Sequence, residues 1–131
     1  MGLVAGPSGR PLPPVLSPYY IDVRDVARAH VSALALQKVK EGTLTDKRFI
    51  ISGGEFTWKE AAEYLAETRP DLKQRLPDII SGSPLLSTLS KNDVSLAANK
   101  LGLTEYISWQ KTVVDTVDDL LSLEKEWAKS K

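Results

Sequence analysis

Tyr20-Ile21-Asp22-Val23-Arg24-Asp25-Val26-Ala27-Arg28-Ala29-His30-Val31 is the stretch whose reading decides the fold. Its first half has period 2. Ile21 and Val23 are β-branched and alternate with Asp22 and Arg24, the pattern of a half-buried strand. Asp25 changes the period. Its carboxylate can accept from the free N–H groups of a following turn and suits the positive end of a helix, which makes it the expected N-cap. Beyond it Ala27, Val31 and Leu34 recur at i, i+4 and i+7, one helical face. The stretch therefore predicts a strand over 19–23 running through one Asp into an amphipathic helix over 26–39, a βα unit.

Downstream, Lys47 to Ser52 predicts a second strand. Phe49, Ile50 and Ile51 form a continuous apolar run, as in strands covered on both faces. Gly53-Gly54 ends it in a tight turn; a dinucleotide loop needs three spaced glycines rather than an adjacent pair. Thr57-x-x-Glu60 is a capping box with Phe56 and Ala61 at the staple positions, and it opens a helix over 58–68 that offers Trp58, Ala61, Ala62 and Leu65 to the core. Pro70 stops it. The stretch from Leu76 to Leu89 contains Pro77, Gly82 and Pro84 and reads as irregular, with a short strand around Ile79-Ile80 or Leu85-Leu86. A helix over 93–101 follows, capped by Asp93 and closed by Gly102 in the left-handed C′ position. The last helix begins after Ser108. Trp109, Val113, Val117, Leu120 and Trp127 carry an apolar stripe along it for about five turns. Upstream of Tyr20, Gly2 to Ala5 could form a short buried strand. The prolines at 7, 11, 13, 14 and 18 exclude a helix and predict an extended loop.

The 131 residues bound one domain or part of one. Lysine plus arginine equals aspartate plus glutamate at 17 each, which argues against nucleic acid or an anionic membrane as partner. The absence of cysteine excludes disulfides and thiolate metal sites and suits a reducing compartment. No apolar run is long enough to span a bilayer. The N-terminus lacks the basic and long apolar regions of a secretory signal. Together these favour a cytoplasmic location. The lone histidine, His30, has no second histidine to share a metal, so a packed, hydrogen-bonded role is expected. Arg24 beside Asp25 reads as a local ion pair at a helix cap, with a cofactor contact as the alternative.

"YIDVRDVARAHVSAL" resembles the strand–helix signature in the second half of extended short-chain dehydrogenase/reductases. The branch it resembles most is the dihydroflavonol-reductase-like, NADPH-dependent aldehyde and ketone reductases of fungi. The likeness continues through "KRFIISGGEFTWKEAAEYL", "RPDLKQRLP" and "LGLTEYISWQKTVVDTVDDLL". "GLVAGP" near the start resembles the end of the family's Asn-Pro-x-x-V-x-G-P segment. The resemblance implies an α/β fold: a partial, Rossmann-type C-terminal half with a few short strands and about four helices. Residues 1–18 would form a short strand and proline-rich loop, and 19–131 the substrate-domain-like portion. It further implies NADP as cofactor and a small carbonyl compound as substrate. Gly2, Leu3 and Val4 match the segment whose backbone passes the nicotinamide.

The family's chemistry uses a Tyr-x-x-x-Lys pair and an upstream serine. The tyrosine gives or takes the carbonyl proton, the lysine lowers its pKa, and the serine orients the substrate oxygen. Four residues after Tyr19, Tyr20, Tyr64 and Tyr106 stand Val23, Arg24, Thr68 and Gln110, so none forms the pair. No Gly-x-x-Gly-x-x-Gly occurs. The nucleotide-binding half and catalytic helix are therefore expected outside this sequence, and no catalytic or metal-binding residue is assigned within it. Two readings stay open: the C-terminal part of a reductase, or a catalytically inactive product serving as a binding module. On either, the core face normally turned to the missing half would be exposed and prone to self-association.

Overall fold

The computed structural model describes Val4 and residues 9–13, 17–36, 48–79 and 90–130. Among them the order is β1 (Tyr19–Tyr20), α1 (Val23–Leu34), β2 (Gly54–Glu55), α2 (Trp58–Thr68), a 3-10 helix (Pro70–Arg75), α3 (Ser95–Leu101) and α4 (Trp109–Lys129). This is a mixed α/β arrangement in which helices dominate, as the sequence implied.

The opening stretch folds three residues earlier than its pattern predicts. Asp22, not Asp25, is the N-cap of α1: its backbone is extended and its carboxylate accepts from the Arg24 N–H at 2.9 Å. Asp25 lies in the first turn, fully buried. Both are good cap residues, so local pattern does not choose between them. A contact 82 residues away does: Asp25 Oδ2 accepts from the Ile107 N–H at 2.8 Å. The expected face of α1 is also reversed. Val23, Val31 and Leu34 are exposed, whereas Ala29 is buried and Ala33 packs beside it. The end expected at Val39 lies outside the described residues.

β1 pairs antiparallel with β2, Tyr19 opposite Glu55 and Tyr20 opposite Gly54. The strand predicted over 47–52 does not form among the described residues, since 48–52 carry no strand pairing and Lys47 lies outside them. Phe49 and Ile51 instead turn inward to α1 and α3, while Ile50 faces out. The pairing begins only at Gly53, whose N–H donates to Tyr20 C=O at 2.8 Å. A Cβ at Gly53 would stand 2.7 Å from the Tyr20 ring, so this glycine is needed for the ring's close approach rather than for a phosphate.

α2 follows its predicted bounds. Thr57 Oγ1 accepts from the Glu60 N–H at 3.1 Å while Glu60 accepts from the Thr57 N–H at 2.7 Å, a complete capping box. Pro70 ends α2 but also starts the 3-10 helix, where its missing N–H costs nothing at the first position. Asp78 bridges to Pro11 in a parallel pairing; of the short strands sought at Ile79-Ile80 or Leu85-Leu86, Ile79 is not in a strand and packs on the larger core, and residues 80–89 lie outside the described residues. α3 starts at Ser95, whose N–H donates to Asp93 at 2.9 Å, and ends on Gly102 with φ 69°. α4 is capped by Ser108 as predicted.

Two cores result. The larger joins α2, the 3-10 helix and α4 through Ala61, Ala62, Leu65, Leu72, Leu76, Val113 and Val117, with Val4 packed among them. The smaller joins α1 and α3 through Ala29, Ala97, Leu101 and Leu103.

Candidate functional site

The residues that lead into α1 sit where the two cores meet. Asp22 is held by a bidentate pair from Arg24, Nε to Oδ1 at 2.8 Å and Nη2 to Oδ2 at 2.7 Å, and by the Thr112 hydroxyl of α4 at 2.8 Å. The Arg24 hydrogen bond, followed by its backbone N–H and Thr112, holds the Asp22 carboxyl well below the usual carboxylate range in spite of burial. Arg24 reaches on to Asp115 of α4 at 2.7 Å. The expected ion pair at the cap therefore exists, but with Asp22 and Asp115 in place of Asp25. Asp25 pairs with Arg28 at 2.8 Å.

Tyr20 stands beside this network. Its hydroxyl donates to Ile107 C=O at 3.1 Å and its ring meets Phe56 edge-on, with centroids 5.7 Å apart. Burial pushes its phenol up, the more so with the Asp25 and Asp22 carboxylates near it; a backbone hydrogen bond at Trp109 works against this. Phe56 stacks on Trp109 at 5.4 Å and meets Trp58 edge-on at 5.7 Å. The rings of Tyr20, Phe56 and Trp58 form the wall of a cavity of about 320 Å³. Its other sides are Val4, Pro13 and the α4 residues Thr112, Val113, Thr116, Val117 and Leu120. Pattern reading found Trp58, Trp109, Val113, Val117 and Leu120 as core positions. It had no signal for a cavity whose lining is drawn from five separate parts of the chain.

A second, open groove of about 540 Å³ runs past Tyr19, Ser52, Gly54, Lys91, Thr104 and Tyr106. The Tyr106 hydroxyl is buried there without a hydrogen-bond partner among the described residues, and burial raises its pKa. His30 is hydrogen-bonded as expected, Nδ1 to Val26 O at 2.8 Å, but it is exposed rather than packed.

Of the residues implied to pass the cofactor, Gly2 and Leu3 lie outside the described residues. Val4 is buried in the larger core, and its carbonyl already accepts from Arg75 Nε at 3.0 Å. Arg24, Arg28, Arg69 and Arg75 each already hold a carboxylate. The Gly53 position is filled by a tyrosine ring. These four arginines are thus engaged by carboxylates rather than offered to the phosphates of a dinucleotide, which need free N–H groups or free cations. The described residues include no cluster of three or more metal-ligating side chains. None of the described helices is long and apolar enough to cross a membrane.

No family model matches the chain. It is 36% identical over 92 residues to the ketoreductase azaE of Aspergillus niger, covering 70% of this chain and 26% of that protein. It is 33% identical over 106 residues to the NADPH-dependent methylglyoxal reductase GRE2 of Saccharomyces cerevisiae, covering 80% of this chain and 30% of that one. The chain thus spans between a quarter and a third of the curated relatives it matches. The solved structure of yeast Gre2 complexed with NADPH superposes with TM-score 0.61 at 30% identity, over 82% of this chain and 34% of that one. Gre2 of Candida albicans in complex with NADPH gives TM-score 0.60 at 26% identity, over 87% and 33%. Sequence and fold agree over the same stretch: the chain is a counterpart of the C-terminal part of extended short-chain dehydrogenase/reductases, in the group of fungal NADPH-dependent reductases.

Proposed function

We propose that the chain is the substrate-side portion of an NADPH-dependent reductase of small aldehydes or ketones, and that on its own it turns nothing over. The observation that carries this is a mismatch of extents. A ketoreductase and a methylglyoxal reductase match 70–80% of this chain but only 26–30% of themselves. The 131 residues contain neither a Tyr-x-x-x-Lys pair nor a spaced glycine loop. On this reading residues 19–131 are the C-terminal portion and work in the cytoplasm. The backbone of Gly2, Leu3 and Val4 passes the nicotinamide only once a nucleotide-binding half is present. When bound, NADPH supplies the hydride; what this chain contributes is the framework beside the substrate, fixed by the Asp22–Arg24–Thr112 network. The test is NADPH oxidation by the purified chain with methylglyoxal. A rate equal to the buffer blank is expected, since loss of a concerted catalytic group removes several orders of magnitude. A rate well above the blank overturns the reading.

A second reading, an interaction module without catalysis, is favoured by one observation. Val23, Val31 and Leu34 form an exposed apolar stripe on α1, and Ile50 is exposed on the neighbouring segment. Single exposed apolar side chains are ordinary, but a contiguous set marks a contact surface. This reading expects the chain to self-associate or to require a partner.

A further inference from the structure

The aromatic-walled cavity has a property that neither reading above uses: its hydroxyl groups are already occupied. The Tyr20 hydroxyl donates to Ile107 C=O at 3.1 Å. The Thr112 hydroxyl donates to Asp22 at 2.8 Å, and the Thr116 hydroxyl to Thr112 C=O at 2.7 Å. The remaining lining, Val4, Pro13, Phe56, Trp58, Val113, Val117 and Leu120, offers only apolar side-chain surface apart from the indole N–H of Trp58. Water needs two or more polar partners to settle in a cavity, and a space of this kind lined by satisfied groups offers few. A charged ligand would lose its hydration without finding a counter-charge. A neutral, flat, apolar molecule loses nothing and gains the faces and edges of Phe56 and Trp58. About 320 Å³ lies at the low end of the range for small-ligand sites and well above the size of one benzene ring.

We propose that this cavity binds small, neutral aromatic molecules, and that it does so in the chain as it stands, without cofactor. The inference does not depend on the reductase reading. It would hold for an inactive module equally, and its test contains no turnover.

Toluene is the probe, and benzoate, the same ring with a charge, is the control. Thermal melting and Trp fluorescence are followed as each is added to the full chain. Toluene is expected to give a saturable rise in melting temperature of roughly 5 °C at tenfold excess over its dissociation constant, with a saturable change in Trp emission from Trp58. Benzoate is expected to give neither. Leu120→Trp fills the cavity from α4 and is expected to abolish the toluene response while far-UV circular dichroism stays helical. Thr116→Leu fills the same space with a strong helix former and serves if the first variant fails to fold. A wild-type chain with no saturable response overturns the proposal. So does a benzoate response equal to that of toluene, or a toluene response that survives in a folded, cavity-filled variant.

Discussion

The two cores are built from the same kinds of residue and end up unlike. In the larger, α2 offers Ala61, Ala62 and Leu65, all three fully buried, to the Val113 and Val117 face of α4. Its edges are tied by ion pairs: Arg69 to Asp71 and Asp118, and Arg75 to Glu124. In the smaller, α1 turns its small side chains inward, Ala29 and Ala33, and leaves Val23, Val31 and Leu34 outside at 77%, 68% and 85% exposure. One helix spends its large residues on the core; the other holds them in reserve. Because burial of a large apolar side chain is worth about 1.5–3 kcal/mol, the chain's own stability is concentrated in the larger core. In the smaller, Leu101 and Leu103 supply the large buried side chains, and α1 is tied to its surroundings by polar contacts as well, through Asp25.

Leu65→Ala breaks the larger core at its centre. Among the described residues Leu65 is the largest apolar side chain that is wholly buried. Truncation is expected to destabilise by about 2–5 kcal/mol, a large share of what a domain of this size has in total. Urea unfolding of wild type and variant measures it. A loss under about 1 kcal/mol would mean that this core is loose.

Asp25→Ala tests the other side. It leaves the Ile107 N–H without its acceptor and Arg28 with only the Glu105 carbonyl in place of a carboxylate. Removing the acceptor of a buried donor costs about 1–3 kcal/mol. The expected loss is therefore smaller than for Leu65→Ala, and the amide protons of α1 should exchange faster while those of α2 stay protected. Equal exchange in both helices would show the two cores to be one cooperative unit.

This contrast also explains what the sequence could reveal. Most of what is fixed within one turn was legible: the Thr57–Glu60 box, the Ser108 cap, Gly102 at the end of α3; the cap of α3 is the exception, Val94 standing there in place of the expected Asp93. What else failed was settled at long range. Asp22 and Asp25 are equivalent caps until Ile107, far along the chain, engages one of them. Phe49-Ile50-Ile51 has the composition of a covered strand, yet strand is a property of a pair, and among the described residues no neighbour pairs with it. Pro70 reads as a stop signal and serves equally as a first helical residue. The family was legible from the order of its segments, but the cavity was not, since its lining runs from Val4 to Leu120.

Acid should act at the junction of the cores. The Asp22 carboxyl is depressed in the folded chain, so its contribution to stability is complete above the ordinary value of 3.8 and is lost as pH falls below that toward the folded value. Asp22→Asn keeps a good N-cap and removes the charge. Wild type is expected to lose more stability than Asp22→Asn when the urea midpoint is compared at about pH 6 and about pH 3. Asp71, Asp115 and Glu124 are also depressed by their arginine or lysine partners, but they are partly or fully exposed, and solvent screens such pairs. Asp71 and Glu124 are common to both proteins and cancel in the comparison; Asp115 shares Arg24 with Asp22, so its change belongs to the same network. Parallel pH profiles would show that the Asp22–Arg24 pair adds nothing.

The smallest effect on stability should come from the residues that look most hydrophobic in the sequence. Val31 and Leu34 face outward on α1, so Val31→Ser with Leu34→Ser removes little that the isolated chain buries. Surface changes of this kind stay within about ±0.5 kcal/mol per site, with a slight further loss from the lower helix propensity of Ser. The same pair should change association strongly if the stripe is a contact surface. Light scattering over a concentration series is expected to show the wild-type chain growing in mean mass and the double variant remaining smaller, at nearly equal urea midpoints. A midpoint that falls as far as in Leu65→Ala would mean that the stripe is core after all and that the contrast between the two helices is false. Equal mass at all concentrations would leave the stripe exposed but without a role in self-contact, and would count against reading it as a contact surface between copies.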